Sequence, residues 1–141
     1  MARPEKNRKI CEPPLMKGYK PFGMPLCKME TIRLTLEEYE GIRLVNYEML
    51  SQEQAAEKMN VSRPTLTRVY NKALKTITKA FVEGKAIVIE GGSYQFEKEW
   101  FRCKKCYKLI EGAENHIKCA DCKVFGSTEL INLNPANTEQ I

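Results

Sequence analysis

The chain lacks what most enzymes and most membrane proteins need. It contains one histidine, and no apolar run approaches the roughly 20 residues of a membrane span. Its first residues, "MARPEKNRKI", are charged with no apolar core behind them, which is not the make-up of a secretion signal. There is no phosphate-binding glycine loop, no nucleophile elbow and no paired-carboxylate constellation. The lone histidine, His116, lies near cysteines and not near a candidate nucleophile. From these absences a cytoplasmic protein without catalytic activity is expected.

A local absence is more informative. Residues 61–82 contain Arg63, Arg68, Lys72, Lys75 and Lys79 and no acid. The acids are concentrated just before, where residues 36–60 carry six glutamates against Arg43 and Lys58. Residues 1–35 are basic again, with eight Lys/Arg against three Glu. The net charge is only +5, so the segregation, more than the total, points to an anionic partner such as nucleic acid. Charge alone leaves an ordinary solvated basic face as an equal alternative.

What is present suffices to fold, since 43% of the 141 residues are hydrophobic. Residues 1–28 hold five of the seven prolines and read as an irregular basic arm, packed locally through Leu15, Tyr19, Phe22 and Met24. "TIRL" (31–34) reads as a short strand. Three helix starts follow. Thr35 with Glu38, and Ser51 with Gln54, form capping boxes. Leu36, Tyr39, Ile42 and Val45 repeat at helical spacing, so that face is expected to be buried. Ser62 opens a third helix with an apolar stripe at Leu66, Val69, Tyr70, Ala73, Leu74, Ile77, Ala80 and Phe81, ended by Gly84. "KAIVIEGG" (85–92) reads as a strand that pairs with "TIRL" or with its twin in another subunit. "SYQFEKEWF" alternates weakly, as a strand leading into the cysteines does.

The link between the second and third helices is only "MNVS". So tight a turn makes the helices cross steeply over a small shared core. Ala55 and Ala56 are small enough for close approach, Met59 and Val61 flank the turn, and Leu66 and Val69 face back. Asn60 occupies the position that needs a left-handed backbone, which Asn tolerates. With Ser62 as N-cap, Pro64 falls in the first turn, where its missing N–H costs nothing. The pattern is that of a helix-turn-helix, whose second helix enters the major groove. Ser62, Arg63, Pro64, Thr65, Thr67, Arg68, Asn71, Lys72 and Lys75 form the candidate DNA-binding set. Arg suits guanine, Asn suits adenine, and Thr suits a base edge or a thymine methyl. Lys72 and Lys75 suit phosphates, as does the helix start at Ser62. Arg3, Lys6, Arg8 and Lys9 of the arm are candidates for minor-groove or phosphate contact. A helical hairpin with an exposed basic face is the competing reading.

The stretches "MARPEKNRKI", "PFGMPL", "TLEEYEGIRLVNYEMLSQEQAAEKMNVSRPTLTRV" and "VEGKAIVIEGG" resemble the domain-of-unknown-function 134 family, prokaryotic proteins predicted to bind DNA. The similarity covers residues 1 to about 92. The helical part also resembles region four of primary sigma factors. That implies a three-helix domain with the third helix as reader. The family usually has glycine where Asn60 stands.

Six cysteines remain to be explained, and four form two C-x-x-C pairs. Cys103 and Cys106 lie in "CKKC", Cys119 and Cys122 in "CADC", twelve residues apart. Each pair can supply two thiolates to a tetrahedral metal, with zinc as the default and iron as the alternative. The module resembles a zinc ribbon, although Tyr107 and Lys123 stand where ribbon knuckles usually have glycine. A segment of about 40 residues seldom builds an adequate core, so a metal crosslink is a physical need. His116 is a substitute ligand, Cys11 and Cys27 read as packed or free thiols, and the lysines around the module, Lys104, Lys105, Lys108, Lys118 and Lys123, leave room for nucleic-acid contact.

The expected architecture is mainly α. Residues 1–92 form a three-helix helix-turn-helix domain with short flanking strands. Residues 93–134 form a small β zinc-ribbon-like module, and 135–141 a disordered tail. The expected function is sequence-specific binding of double-stranded DNA by a homodimer, as a transcriptional regulator. The alternatives are a zinc-stabilised adaptor that contacts RNA polymerase or another protein, and a metal- or redox-sensing regulator.

Overall fold

The computed structural model describes residues 8–104, 106–115 and 130–134. Its elements are β1 (Arg8–Ile10), β2 (Gly18–Tyr19), β3 (Thr31–Leu34), α1 (Leu36–Ile42), α2 (Gln52–Met59), α3 (Arg63–Glu83), β4 (Ala86–Ile89), β5 (Tyr94–Phe96), β6 (Trp100–Cys103), β7 (Leu109–Glu111) and β8 (Leu130–Asn132). Three helices stand where three helix starts were read. The eight described strands make the chain mixed α/β, which corrects the expectation of a mainly α protein. The difference arises because several strands are only two to four residues long, too short for a periodicity to register. Two compact units result, Met1–Ile10 with Met16–Tyr94, and Cys11–Leu15 with Gln95–Ile141.

In the first unit β3 runs parallel to β4, with Thr31 opposite Ala86 and Leu34 opposite Ile89. Parallel neighbours need a long crossover, and here the whole α1–α2–α3 run supplies it. β2 pairs antiparallel on the other side of β4. The strand read in "KAIVIEGG" therefore does pair with "TIRL". The glycines that follow it lock the start of α1. The Gly91 carbonyl accepts the Leu36 N–H at 3.1 Å, and the Glu90 N–H donates to the Leu34 carbonyl at 3.0 Å. Gly92 has φ 96, and a Cβ there would lie 2.9 Å from the Glu37 carboxylate. A larger residue there would be strained by this φ and would have to displace the Glu37 carboxylate.

The helices begin where local chemistry says they should. The Thr35 hydroxyl accepts the Glu38 N–H at 3.2 Å. Around Ser51 and Gln54 both bonds of the capping box form, each at 3.1 Å. Of the expected face of α1, Leu36 is buried and Tyr39, Ile42 and Val45 are half-buried. The helix continues as a π-helical turn over Arg43–Tyr47, and the wider turn shifts the helix phase. Leu44, outside the expected stripe, is fully buried in the core with Ala55, Ala56, Met59 and Leu66, and Val45 packs against the same cluster. Glu38 and Glu40 are buried as well. Glu40 is held by Arg43, whose Nε donates to its Oε1 at 2.5 Å while Nη1 donates to Glu48 at 2.8 Å.

The α3 stripe is also narrower than expected. Leu66, Ala73 and Ala80, spaced by seven, are buried. Leu74 and Phe81 lie one residue, about 100° of rotation, further round, and are 37% and 86% exposed. In the arm, Leu15, Tyr19 and Phe22 are exposed, with Phe22 at 98%. The arm is not irregular throughout. It is anchored by Ile10, which is fully buried, and by strand pairing of β2. No helix among the described residues is long and apolar enough to cross a membrane.

In the second unit β6 is the centre of an antiparallel sheet ordered β7–β6–β8. Cys103 and Ile110 are buried, with Phe101 and Leu130 packed against them. Arg102 organises the unit from within. Its guanidinium donates to the Pro14 carbonyl at 2.6 Å, the Leu15 carbonyl at 2.8 Å and the Tyr107 carbonyl at 3.2 Å. Burial lowers its pKa from the ordinary arginine value. Three oriented carbonyl dipoles partly offset the loss of solvation. This contact makes Cys11–Leu15 a part of the second unit, which the arm reading did not anticipate.

Candidate nucleic-acid interface

α2 and α3 are separated by Asn60, Val61 and Ser62. Asn60 adopts φ 58 and ψ 45, the left-handed conformation expected of it, and its N–H reaches the carbonyls of Ala56 and Glu57. Val61 packs on the Ala55, Ala56, Met59 and Leu66 cluster. Ser62 caps α3, its hydroxyl accepting the Thr65 N–H at 3.3 Å. Pro64 falls in the first helical turn, so it marks the start of α3 without costing a hydrogen bond. Across the bundle, Gly41 of α1 lies over Leu66, Val69 and Tyr70, where a Cβ would meet them at 3.8–4.0 Å. The opposite side of the first half of α3 is left for solvent.

Ser62, Arg63, Pro64, Arg68, Asn71, Lys72 and Lys75 are exposed, and Thr65 and Thr67 half-exposed. The predicted set is thus accessible, but its members are not equally available. Arg63, Asn71 and Lys75 make no side-chain hydrogen bond or ion pair among the described residues. The Thr65 hydroxyl accepts from Ser62 at 2.9 Å and from Arg68 Nη2 at 3.3 Å, which holds the Arg68 guanidinium along the helix. The Thr67 hydroxyl donates to Gln52 Oε1 at 2.5 Å, bridging α3 to the first residue of α2. Lys72 Nζ lies 3.8 Å from Glu38 Oε1. Burial is the main cause of the raised Glu38 pKa, opposed by the Thr35 hydrogen bond and the Lys72 charge. The Tyr70 hydroxyl donates to Asn46 at 2.9 Å and fixes the far edge of this face.

Two residues bonded to this face are not in the set that the sequence suggests, Gln52 and Glu38. Gln52 directly follows a cap, a position that sequence reasoning could have tested for contact across the turn. Glu38 was read only as a capping-box partner. The arm fares differently. Arg8 Nε is 3.0 Å from Glu37 Oε2 in a largely buried ion pair, so its guanidinium is engaged within the fold. Lys9 is exposed, and Arg3 and Lys6 lie outside the described residues.

Of the cysteines, Cys103 ends β6 fully buried and Cys106 is exposed. The Cys103 N–H donates to the Lys108 carbonyl at 3.1 Å, and the Tyr107 N–H to the Cys103 carbonyl at 3.0 Å. Tyr107 has φ 61. It therefore takes the left-handed conformation that ribbon knuckles usually assign to glycine. His116, Cys119, Cys122, Lys118 and Lys123 lie outside the described residues, as does Lys105.

A family model described as a protein of unknown function, DUF134, matches residues 1–97. The chain belongs to the DUF134 family. Among its relatives is a UPF0251 protein of Halothermothrix orenii, 41% identical over 116 residues, which cover 82% of this chain and 86% of that one. A UPF0251 protein of Chloroherpeton thalassium is 40% identical over 124 residues, 86% of this chain and 82% of the relative. For a UPF0251 protein of Desulforudis audaxviator the figures are 36% over 131 residues, 93% and 86%. That last alignment is longer than the stretch matched by the DUF134 model, so similarity continues into the cysteine module. No solved structure matches.

Proposed function

We propose that this DUF134 protein binds double-stranded DNA in a sequence-specific manner and acts as a transcriptional regulator. In this reading α2, the Asn60 turn and α3 are a helix-turn-helix, and α3 is the reader. The observation that carries it is the stretch of α3 from Arg63 to Lys75. Arg63, Arg68, Asn71, Lys72 and Lys75 are all exposed there, with no acid before Glu83, while Leu66 and Ala73 fix the opposite side in the core. Arg63 and Asn71, which have no intramolecular partner among the described residues, are the base-reading candidates. Lys72 and Lys75 neutralise phosphates. One such helix offers few base contacts, so a homodimer on a two-fold site is part of the proposal. The first unit lacks an obvious use for its exposed Leu74, Phe81 and Val82 in DNA contact. That apolar surface favours a second reading, docking to a protein such as a second copy of the chain or RNA polymerase.

For the second unit we propose a zinc ion held by Cys103, Cys106, Cys119 and Cys122, with iron as the alternative metal. When bound it would supply a crosslink and no open coordination position for catalysis. The test of the main proposal is enrichment of duplexes from a random-sequence DNA pool by the full chain. Recovery of a common sequence, lost in the Arg63→Ala/Arg68→Ala variant, is expected. Equal enrichment by that variant contradicts α3 as the reader. Elemental analysis of the purified chain tests the metal.

A further inference from the structure

The hydrogen bond between Thr67 and Gln52 changes what each residue can do. Sequence spacing puts Thr67 on the reading face with its hydroxyl free for a base. Instead that hydroxyl is 2.5 Å from Gln52 Oε1 and 3.0 Å from the Arg63 carbonyl. Its single proton is shared between these two acceptors, so Thr67 has no hydrogen left to donate to a base and offers outward only its acceptor lone pairs and its methyl group. Gln52, in contrast, gains an anchor. Its backbone sits directly after the Ser51 cap and its amide oxygen is tied to α3. An amide has two donor hydrogens beyond its oxygen, and none of the described residues receives one from Gln52.

Resting on the DNA reading above, we propose that Gln52 is a further DNA-contacting residue, donating from its amide nitrogen to a phosphate, and that Thr67 is the positioning residue that aims it. Three features support this. The pair spans the turn, so both helices of the motif hold the amide in one place. In this motif the first helix lies across the DNA backbone, where an amide donor meets phosphate oxygens. Arg68 is also held by a threonine, donating to the Thr65 hydroxyl, so the face contains two side chains each bonded to a threonine hydroxyl.

The probe is a duplex enriched by the wild-type protein from the random-sequence pool. Gln52→Ala and Thr67→Val are each expected to weaken binding about fivefold, the loss of roughly one hydrogen bond. The deciding readout is their combination. Thr67→Val acts only through Gln52, so the double variant is expected to bind no more weakly than Gln52→Ala alone. A merely structural role of Thr67 would instead lower affinity further in the double variant. Thr67→Ser, which keeps the hydroxyl, restores wild-type affinity. Thermal unfolding by far-ultraviolet circular dichroism checks that each variant is folded. Wild-type affinity for Gln52→Ala, or additive losses in the double variant, overturns this proposal and leaves the DNA reading intact. Failure of the wild-type protein to enrich any duplex overturns both.

Discussion

Asn60 and Tyr107 are two of the three residues other than glycine that hold a positive φ among the described residues. They stand at matching φ, 58 and 61, in different units, and the two turns hold that conformation by different means. Asn60 tolerates the left-handed region by its own nature, and its N–H closes the end of α2. Tyr107 does not tolerate it, and its exposed ring gains little packing in return. The conformation is imposed from outside, by the Cys103–Lys108 and Tyr107–Cys103 backbone bonds and by Arg102 gripping the Tyr107 carbonyl. One turn is specified by its own residue. The other is specified by a guanidinium and, on the proposal above, by a metal.

That contrast can be broken or sharpened by substitution. The largest effect is expected from Arg102→Ala, which strips a charged donor from the Pro14, Leu15 and Tyr107 carbonyls. A loss of about 3 kcal/mol or more in the second unit follows from hydrogen bonds of this kind. Trp100 is the only tryptophan and is buried in that unit, so its fluorescence during denaturant unfolding reports the change. An unchanged Trp100 transition would mean that Arg102 does not hold the turn. Next comes Asn60→Val, which puts a β-branched residue into the left-handed region and is expected to cost about 1–2 kcal/mol. Asn60→Gly is expected to stay within about 0.5 kcal/mol of wild type. Both are followed by helical circular dichroism, because α1, α2 and α3 all lie in the first unit. The smallest effect is a gain. Tyr107→Gly removes the left-handed penalty against the entropy of glycine, for a net of about 0.5–1 kcal/mol in the Trp100 transition. Destabilisation by that change would show that the tyrosine ring supports the turn.

The same contrast explains what was legible in the sequence. Ser51, Ser62, Asn60 and Pro64 were readable because each acts on backbone within four residues of itself. The parallel β3–β4 pairing was readable as one of two options, since both segments are short apolar strands. The burial of Leu44 was not legible, because a π turn has no clear sequence mark and it brings Leu44 into the core beside Val45. The exposure of Leu74 and Phe81 depends on which neighbour covers the second half of α3, and spacing cannot supply that. Arg102 is bonded to carbonyls 87 and 88 residues away, and Gln52 to a hydroxyl 15 residues away. Such partners are set by the tertiary fold alone. The candidate DNA face was therefore visible as a list, but not which of its members are already engaged.

The central claim is that the exposed face of α3 binds the DNA backbone and bases. Its most direct measurement is the salt dependence of wild-type binding to an enriched duplex, repeated for Lys72→Ala and Lys75→Ala. Phosphate contacts release counterions, so log affinity should fall linearly with log salt, and each lysine removed should flatten the slope by about one unit. A salt-independent affinity, or slopes unchanged in both variants, would contradict the account.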